Sequence, residues 1–251
     1  MICLLLAVQV GVTGLRVEYL ANPLGIDALH PRLSWRITSS ERNTVQSAYQ
    51  LQVARTENDL ARGANLLWDS GRAASDASVF VPYAGPPLTS RTRYVWRVKV
   101  WDASGRASMW STPGSWETGL LEPSDWSAAW IGTAPSPTDS MGGPSPLLRR
   151  AFRLSGAVAS ARVYATSLGL YEVFLNGQRV GDQLFTPGWT TYHRRLQYQT
   201  YDVTPLLRAG DNAIGAVLGD GWYRGALGFD PKRNTYGQRL ALRLQLEIRY
   251  R

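Results

Sequence analysis

The segment Leu240–Tyr250 constrains the fold of this 251-residue chain more than any other. Its sequence, LALRLQLEIRY, places an apolar side chain at every second position. A period of two residues is typical of a β-strand that turns one face to a core and the other to water. Because a slip of one residue would expose every leucine, the register of this strand is strongly specified. We therefore expect an antiparallel sheet here.

Three further segments are rich in β-branched and aromatic residues and are also predicted to be strands: Tyr49–Ala54, Tyr94–Trp101 and Tyr171–Leu175. The last of these is followed by Asn176-Gly177, a pair that tolerates positive φ at both positions of a tight hairpin turn. With so little helical periodicity elsewhere, the sequence predicts an all-β protein.

Two short segments are the exceptions. Thr56–Gly63 offers a threonine cap, an acidic first turn and a glycine stop, and we expect a short helix there. Thr204–Gly210 has a threonine cap, proline at the first helical position and a glycine stop, and predicts a second one.

The domain organisation follows from composition. Residues 133–146 (TAPSPTDSMGGPSP) are rich in proline, glycine and serine and lack an apolar period. We therefore predict two β-sandwich domains, at 14–119 and 147–251, joined by a linker at 120–146.

The first domain has the features of a fibronectin type III or immunoglobulin-like sandwich. About seven short strand candidates precede the linker, as such a fold requires. Trp35 would be the buried tryptophan of an early strand. The Leu88…Tyr94 spacing resembles a tyrosine corner, in which a phenol hydroxyl is tied to nearby backbone.

Composition and charge limit the classes of function that this chain can have. The formal charge is +8, but only two of the 27 basic residues are lysines and the arginines are scattered. Nucleic-acid binders concentrate their basic residues on one face or in one run, which favours a solvated basic surface here. The single cysteine, Cys3, excludes an internal disulfide. The apolar run Met1–Val10 is too short to span a bilayer and lacks the basic leader region of a signal peptide. This favours a cytoplasmic over a secreted protein, and whether the run is the remnant of a signal peptide stays open.

Two sets of segments, taken in order, have the character of a known family. In the first half they are Leu15–Trp35, Trp96–Gly105 and Trp126–Gly132. In the second half they are Leu170–Gly177, Pro187–Arg195, Leu196–Thr204, Leu218–Gly225 and Asn234–Gln238. Together they resemble the N-terminal region of bacterial α-L-rhamnosidases, and the resemblance covers nearly the whole chain apart from the first dozen residues and the linker.

The resemblance implies a non-catalytic role. In that family an (α/α)₆ barrel further along the polypeptide cleaves the sugar with a general acid and a general base, with inversion. Nothing in this sequence could form such a barrel, so we assign no catalytic residue and expect the chain to be inactive alone. The missing barrel becomes an expected partner. The resemblance also implies a jelly-roll-like second sandwich that continues beyond Tyr250, so we expect this domain to be incomplete.

Candidate carbohydrate-binding residues lie in three loops of the second domain. Aromatic rings hold the C–H faces of sugars, and carboxylates and amides bind their hydroxyls. The candidates are Trp189, Tyr192, Asp220, Trp222, Arg224 and Asn234. Three interpretations remain open: contact with rhamnose-containing glycans, docking onto the catalytic barrel without sugar binding, and local packing.

A calcium-dependent rhamnose site is not expected. Some rhamnosidase-associated sandwiches bind the sugar through calcium, using acidic and amide residues just before the Asn-Gly strand. The corresponding Leu168-Gly169 offers no side-chain oxygen here, and calcium needs several oxygen ligands. We therefore predict no metal and no cofactor.

Overall fold

The computed structural model describes residues 10–134, 142–229 and 232–251. The chain forms two compact units, Met1–Asp125 and Trp126–Arg251. Of the apolar run Met1–Val10 only Val10 is described, and residues 135–141 of the predicted linker also lie outside the described residues. No helix in the described ranges is long and apolar enough to cross a bilayer.

The first unit consists of two antiparallel sheets. One sheet has the order β1-β2-β6, and the other has the order β4-β3-β7-β8 with β5 also paired to β3. A short helix, α1 (Glu57–Arg62), follows β3. The strands are β1 (Gly11–Val17), β2 (Arg32–Thr38), β3 (Gln46–Ala54), β4 (Trp68–Asp69), β5 (Ala73–Ala74), β6 (Val81–Pro82), β7 (Arg93–Asp102) and β8 (Gly114–Glu117).

The core of this unit is built on the alternation of β7. Tyr94, Trp96, Val98 and Val100 are at most 1% exposed and pack with residues of the other sheet. One of these partners is Trp35, which is buried as predicted. Removing each such side chain from water stabilises the fold by about 2–3 kcal/mol, so the aromatic residues of this core carry much of its stability.

The tyrosine corner is confirmed. The Thr89 backbone N–H donates a hydrogen bond of 2.9 Å to the Tyr94 hydroxyl oxygen. The Tyr94 ring lies parallel to Trp116 at a centroid distance of 5.1 Å. The loop that precedes β7 is therefore bonded to the core through the Tyr94 hydroxyl oxygen.

Of the two predicted helices only the first is confirmed. The Thr56 hydroxyl accepts a hydrogen bond from the Asp59 N–H, and Gly63 ends α1 in the left-handed conformation. The second prediction is wrong in type, because Thr204–Leu206 forms a single 3₁₀ turn. Thr204 does not cap it: its hydroxyl accepts from the Ala161 N–H and contacts the Asp202 carboxylate.

The second unit is also a pair of antiparallel sheets, with the orders β13-β10-β15 and β12-β11-β14-β9. The predicted all-β class is thus confirmed in both units. One helical turn, α2 (Gly221–Arg224), follows β14. The strands are β9 (Leu147–Leu154), β10 (Val158–Leu168), β11 (Leu170–Leu175), β12 (Gln178–Arg179), β13 (Gln199–Asp202), β14 (Gly210–Gly219) and β15 (Ala241–Tyr250).

The predicted hairpin turn is present between β11 and β12. Asn176 and Gly177 have φ values of 53° and 83°, as a two-residue turn of this kind requires. The Asn176 amide also donates to Leu206 O and to Asn212 Oδ1. The turn is therefore fixed by side-chain bonds as well as by its backbone.

Strand β15 confirms the predicted core face as far as Ile248, but Tyr250 is 46% exposed, and the opposite face also differs from the prediction. Leu242 is 2% exposed, and the next alternate apolar residues pack against the same core. The opposite face was expected to meet water, but Gln245 is only 6% exposed. Its side-chain oxygen accepts hydrogen bonds from the backbone N–H groups of Ser127 and Ala128. Arg243 lies over the ring of Trp126.

The covering segment comes from residues that the sequence assigns to the linker. Ile131 exchanges two backbone hydrogen bonds with Leu242, of 2.9 and 2.7 Å. Residues 126–131 are therefore part of the second unit. Their backbone donors are satisfied by a polar residue of β15, which explains why a polar side chain tolerates burial there.

The tyrosine corner gives a test of the first unit. Tyr94→Phe leaves the Thr89 N–H without its acceptor and should lower the free energy of unfolding by about 1–2 kcal/mol. Urea denaturation followed by fluorescence measures the change. Tyr49→Phe is the matched control, since Tyr49 is a half-buried tyrosine of the same unit that packs edge-on to Trp35. An equal loss in both variants would contradict a specific role for the Tyr94 hydroxyl.

Candidate functional site

Three loops of the second unit meet through their aromatic side chains. The first runs from β12 to β13, the second is the turn from β14 into α2, and the third precedes β15. Ring contacts join Trp189 of the first loop to Trp222 of the second, and Tyr192 of the first to Tyr236 of the third. The three loops that carry the candidate residues therefore converge.

Two indole rings of this region stack on each other and keep contact with solvent. Trp189 and Trp222 are stacked with centroids 5.7 Å apart and planes inclined by only 7°. Phe185 meets the Trp222 ring edge-on at 5.9 Å. Trp189 is 56% exposed and Phe185 is 65% exposed. We call Phe185, Trp189 and Trp222 the aromatic surface.

The turn into α2 explains how Trp222 reaches this surface. Gly221 has a φ of 51°, and a Cβ atom there would overlap Leu170 of β11. Only glycine therefore allows the chain to turn so tightly against the sheet. Within α2, Tyr223 is 9% exposed, whereas Trp222 keeps partial contact with solvent.

Asp220 holds this turn through two arginines. Its Oδ1 accepts a hydrogen bond of 2.6 Å from Arg224 Nε, and Arg224 Nη2 also lies 2.6 Å from the same oxygen. Its Oδ2 accepts from Arg233 of the third loop. The side chain of Arg224 is only 6% exposed. Charge-assisted bonds of this kind are strong and directional, so this ion pair fixes the position of α2.

Tyr192 lies beneath the aromatic surface. It is 6% exposed, and its hydroxyl donates a hydrogen bond of 3.0 Å to Gly188 O. Burial raises the pKa of the Tyr192 phenol. Its ring packs against Tyr223 at 5.3 Å and Tyr236 at 4.9 Å. Through these contacts Tyr192 of the first loop joins the second and third loops.

Asn234 belongs to the same support. Its backbone has a φ of 61°, a left-handed conformation that asparagine adopts more readily than most residues. Its N–H donates to Arg224 O at 3.0 Å, which ties the third loop to α2. The structure thus places four of the six candidates in the supporting framework and two in the aromatic surface.

Sequence reasoning missed Phe185 and its neighbour Leu184, which is 69% exposed. Both lie in a loop rich in glycine and proline, outside any alternating strand. An adjacent apolar pair in such a loop has no core to enter, and this was the signal available in the sequence.

Chemically, this region can stack flat apolar faces and offer a few hydroxyl and amide groups. The described residues contain no group of three or more His, Cys, Asp or Glu side chains that could hold a metal ion. The one carboxylate of the framework, Asp220, is engaged by two guanidinium groups. The exposed rings of this region are suited to contact with a flat apolar face of a ligand.

The Asp220 ion pair gives a test of this framework. Asp220→Ala leaves the buried Arg224 guanidinium without its carboxylate and should destabilise the second unit by about 3 kcal/mol. Asp211→Ala is the control, because its pair with Arg153 is 75–83% exposed and should be worth less than about 1 kcal/mol. Denaturation in urea compares them. Equal, small losses would show that Asp220 does not hold the turn.

The chain matches two family models. The Rha78A-like N-terminal immunoglobulin domain matches residues 12–122, and the α-L-rhamnosidase N-terminal domain matches residues 156–251. An α-L-rhamnosidase of Streptomyces avermitilis is 32% identical over an alignment that covers 95% of this chain and 39% of the relative. One from Alteromonas sp. is 40% identical over 95% of this chain and 26% of the relative.

Solved structures agree with these matches. The S. avermitilis α-L-rhamnosidase complexed with L-rhamnose superimposes with a TM-score of 0.86 at 31% identity, over 96% of this chain and 39% of that one. The Aspergillus terreus enzyme gives 0.84 at 36% identity, over 96% of this chain and 27% of that one. The chain thus spans between a quarter and two fifths of these relatives. It belongs to the α-L-rhamnosidase family and corresponds to the N-terminal region of its members.

Proposed function

We propose that this chain is the accessory part of an α-L-rhamnosidase-like glycoside hydrolase and that its aromatic surface contacts rhamnose-containing glycans. One observation carries the proposal: two stacked indole rings lie at the meeting point of three loops, and more than half of Trp189 is open to solvent.

The geometry suits a sugar ring. One face of Trp189 is covered by Trp222, and the exposed fraction of its side chain leaves room for a second flat partner. The C–H face of a pyranose is such a partner, and in L-rhamnose, a 6-deoxy sugar, C6 is a methyl group that extends the apolar side of the ring. Stacking of this kind gains energy from apolar burial and from the charge distribution of the ring.

A polar neighbour is available for the sugar hydroxyls. Trp189 Nε1 donates to the Tyr236 hydroxyl oxygen at 3.3 Å, and that hydroxyl retains its own hydrogen as a donor. Tyr236 is half-buried and held in place by Tyr192. The polar group is therefore oriented before a ligand arrives, which reduces the entropy lost on binding.

A second candidate function is docking onto the catalytic (α/α)₆ barrel without sugar binding. The observation in its favour is that Leu184 and Phe185 extend the exposed apolar area beyond what one sugar ring covers. The curated relatives are also much longer than this chain, so they contain further polypeptide that could cover this area. The two candidates differ in whether free sugar binds.

Calorimetric titration of the purified chain with methyl α-L-rhamnopyranoside tests the proposal. We expect saturable heat and a raised melting temperature. Trp189→Ala should weaken binding at least tenfold, because it removes the exposed ring. Trp130→Ala is the matched control: Trp130 is 40% exposed in the same unit and should leave the affinity unchanged.

The outcomes are distinct. Absence of heat at millimolar sugar, with a cooperative melt that sugar does not shift, would contradict sugar binding and leave docking. Equal weakening in the Trp189 and Trp130 variants would contradict the assignment to the aromatic surface. Turnover of an aryl rhamnoside in proportion to the amount of purified chain would overturn the non-catalytic role.

A further inference from the structure

The first unit contains a second surface with exposed rings, at the turn that links β1 to the segment before β2. Tyr19 is 58% exposed, Phe80 is 36% exposed, and their rings meet edge-on at 4.7 Å. They line a groove of about 310 Å³ on the first unit. The groove is completed by Gly14, Arg16, Ser34, Trp35, Arg36 and Val79.

The two rings are held in place by an ion pair beneath them. Arg32 lies 5.5 Å from the Tyr19 ring centroid and 4.8 Å from that of Phe80. Its guanidinium is fixed by two-point bonding to Glu18, with Nη2 to Oε2 at 2.6 Å and Nε to Oε1 at 3.1 Å. The hydrogen bond from Arg32 lowers the pKa of the Glu18 carboxyl, which therefore stays ionised at neutral pH. We call Tyr19 and Phe80, which both contact this ion pair, the platform.

The backbone adopts unfavourable conformations to present this platform. Glu18, Tyr19 and Phe80 have φ values of 47°, 72° and 57°. The turn at Glu18-Tyr19 is closed by two hydrogen bonds between Val17 and Leu20, a geometry for which Asn-Gly is the favoured pair. A large side chain at positive φ costs stability, and such strain concentrates at functional positions.

Two cationic side chains, Arg16 and Arg36, also line the groove. Arg36 is exposed, and among the described residues no side chain or carbonyl group accepts a hydrogen bond from its guanidinium. Its aliphatic stem lies over Gly14, where β1 is bulged, and a Cβ atom at that position would come within 3.3 Å of it. Arg16 is also exposed and donates one hydrogen bond, to Tyr19 O, which leaves further guanidinium donors available.

We propose that this groove binds an acidic saccharide, with a sugar ring on the Tyr19–Phe80 platform and its carboxylate or sulfate group on Arg36. An aromatic platform beside a fork of guanidinium donors matches a flat C–H face that carries an anionic substituent. A peptide ligand is disfavoured because the bulge at Gly14 interrupts the edge strand β1, which an added peptide strand would need to pair with. This site lies on the first unit and is independent of the aromatic surface.

Binding to three polysaccharides tests the site: sodium alginate for carboxylates, dextran sulfate for sulfates and dextran as the neutral reference. We expect the chain to bind at least one acidic polymer and not dextran, with Arg36→Gln at least tenfold weaker. Arg149→Gln is the control, since it removes the same charge from an exposed arginine of the second unit. Equal binding of dextran, or equal weakening in both variants, would overturn the proposal.

Tyr19→Gly separates a binding role from a structural one. Glycine adopts a φ of 72° without steric strain, so this variant should melt at the same or a higher temperature. Its affinity for the acidic polymer should fall at least fivefold, because the Tyr19 ring is removed. Retained affinity would contradict the platform. If Tyr19→Gly melts lower, Arg36→Gln still decides the matter, because an exposed arginine is replaced there by a polar side chain.

Discussion

Both units depend on one constraint: a sheet with alternating side chains is stable only when its apolar face is covered. In the first unit β7 supplies much of that face, and Trp35 of the other sheet is among the residues that cover it. In the second unit β10 and β15 pair over ten positions and the sheet containing β11 and β14 covers them. The loops that carry the candidate sites are positioned by these covered sheets.

Because loops pack against these covered sheets, some of their charged residues become buried. The turn from β14 into α2 lies against β11, so Arg224 enters a space where a guanidinium group needs a carboxylate. Asp220 provides that carboxylate. Arg233, in the loop before β15, pairs with the same carboxylate. The aromatic surface above is therefore the outer layer of a polar framework. In the first unit the Glu18–Arg32 pair supports the Tyr19–Phe80 platform in a similar way.

Local patterns were enough to predict the elements whose stability is decided locally. The cap and glycine stop of α1 bond to backbone groups of the same segment, and the Asn176-Gly177 turn takes its φ values from its own two residues. The alternation of Leu240–Tyr250 determines which side of the strand enters the core, although the backbone of the strand pairs with β10. What depended on distant partners was not predictable. Gln245 looks like a solvent residue until Ser127 and Ala128 cover it. Nothing local predicts that Trp189 and Trp222, which lie in different loops, stack.

The most direct measurement is a two-dimensional proton–nitrogen NMR titration of the indole N–H groups with methyl α-L-rhamnopyranoside. The chain has ten tryptophans, and each gives one such resonance. The account predicts progressive, saturable shifts for Trp189 and smaller ones for Trp222, with the buried Trp35, Trp96 and Trp116 unchanged. A titration in which Trp189 stays fixed while another indole moves, or in which none moves, would contradict the account of the aromatic surface.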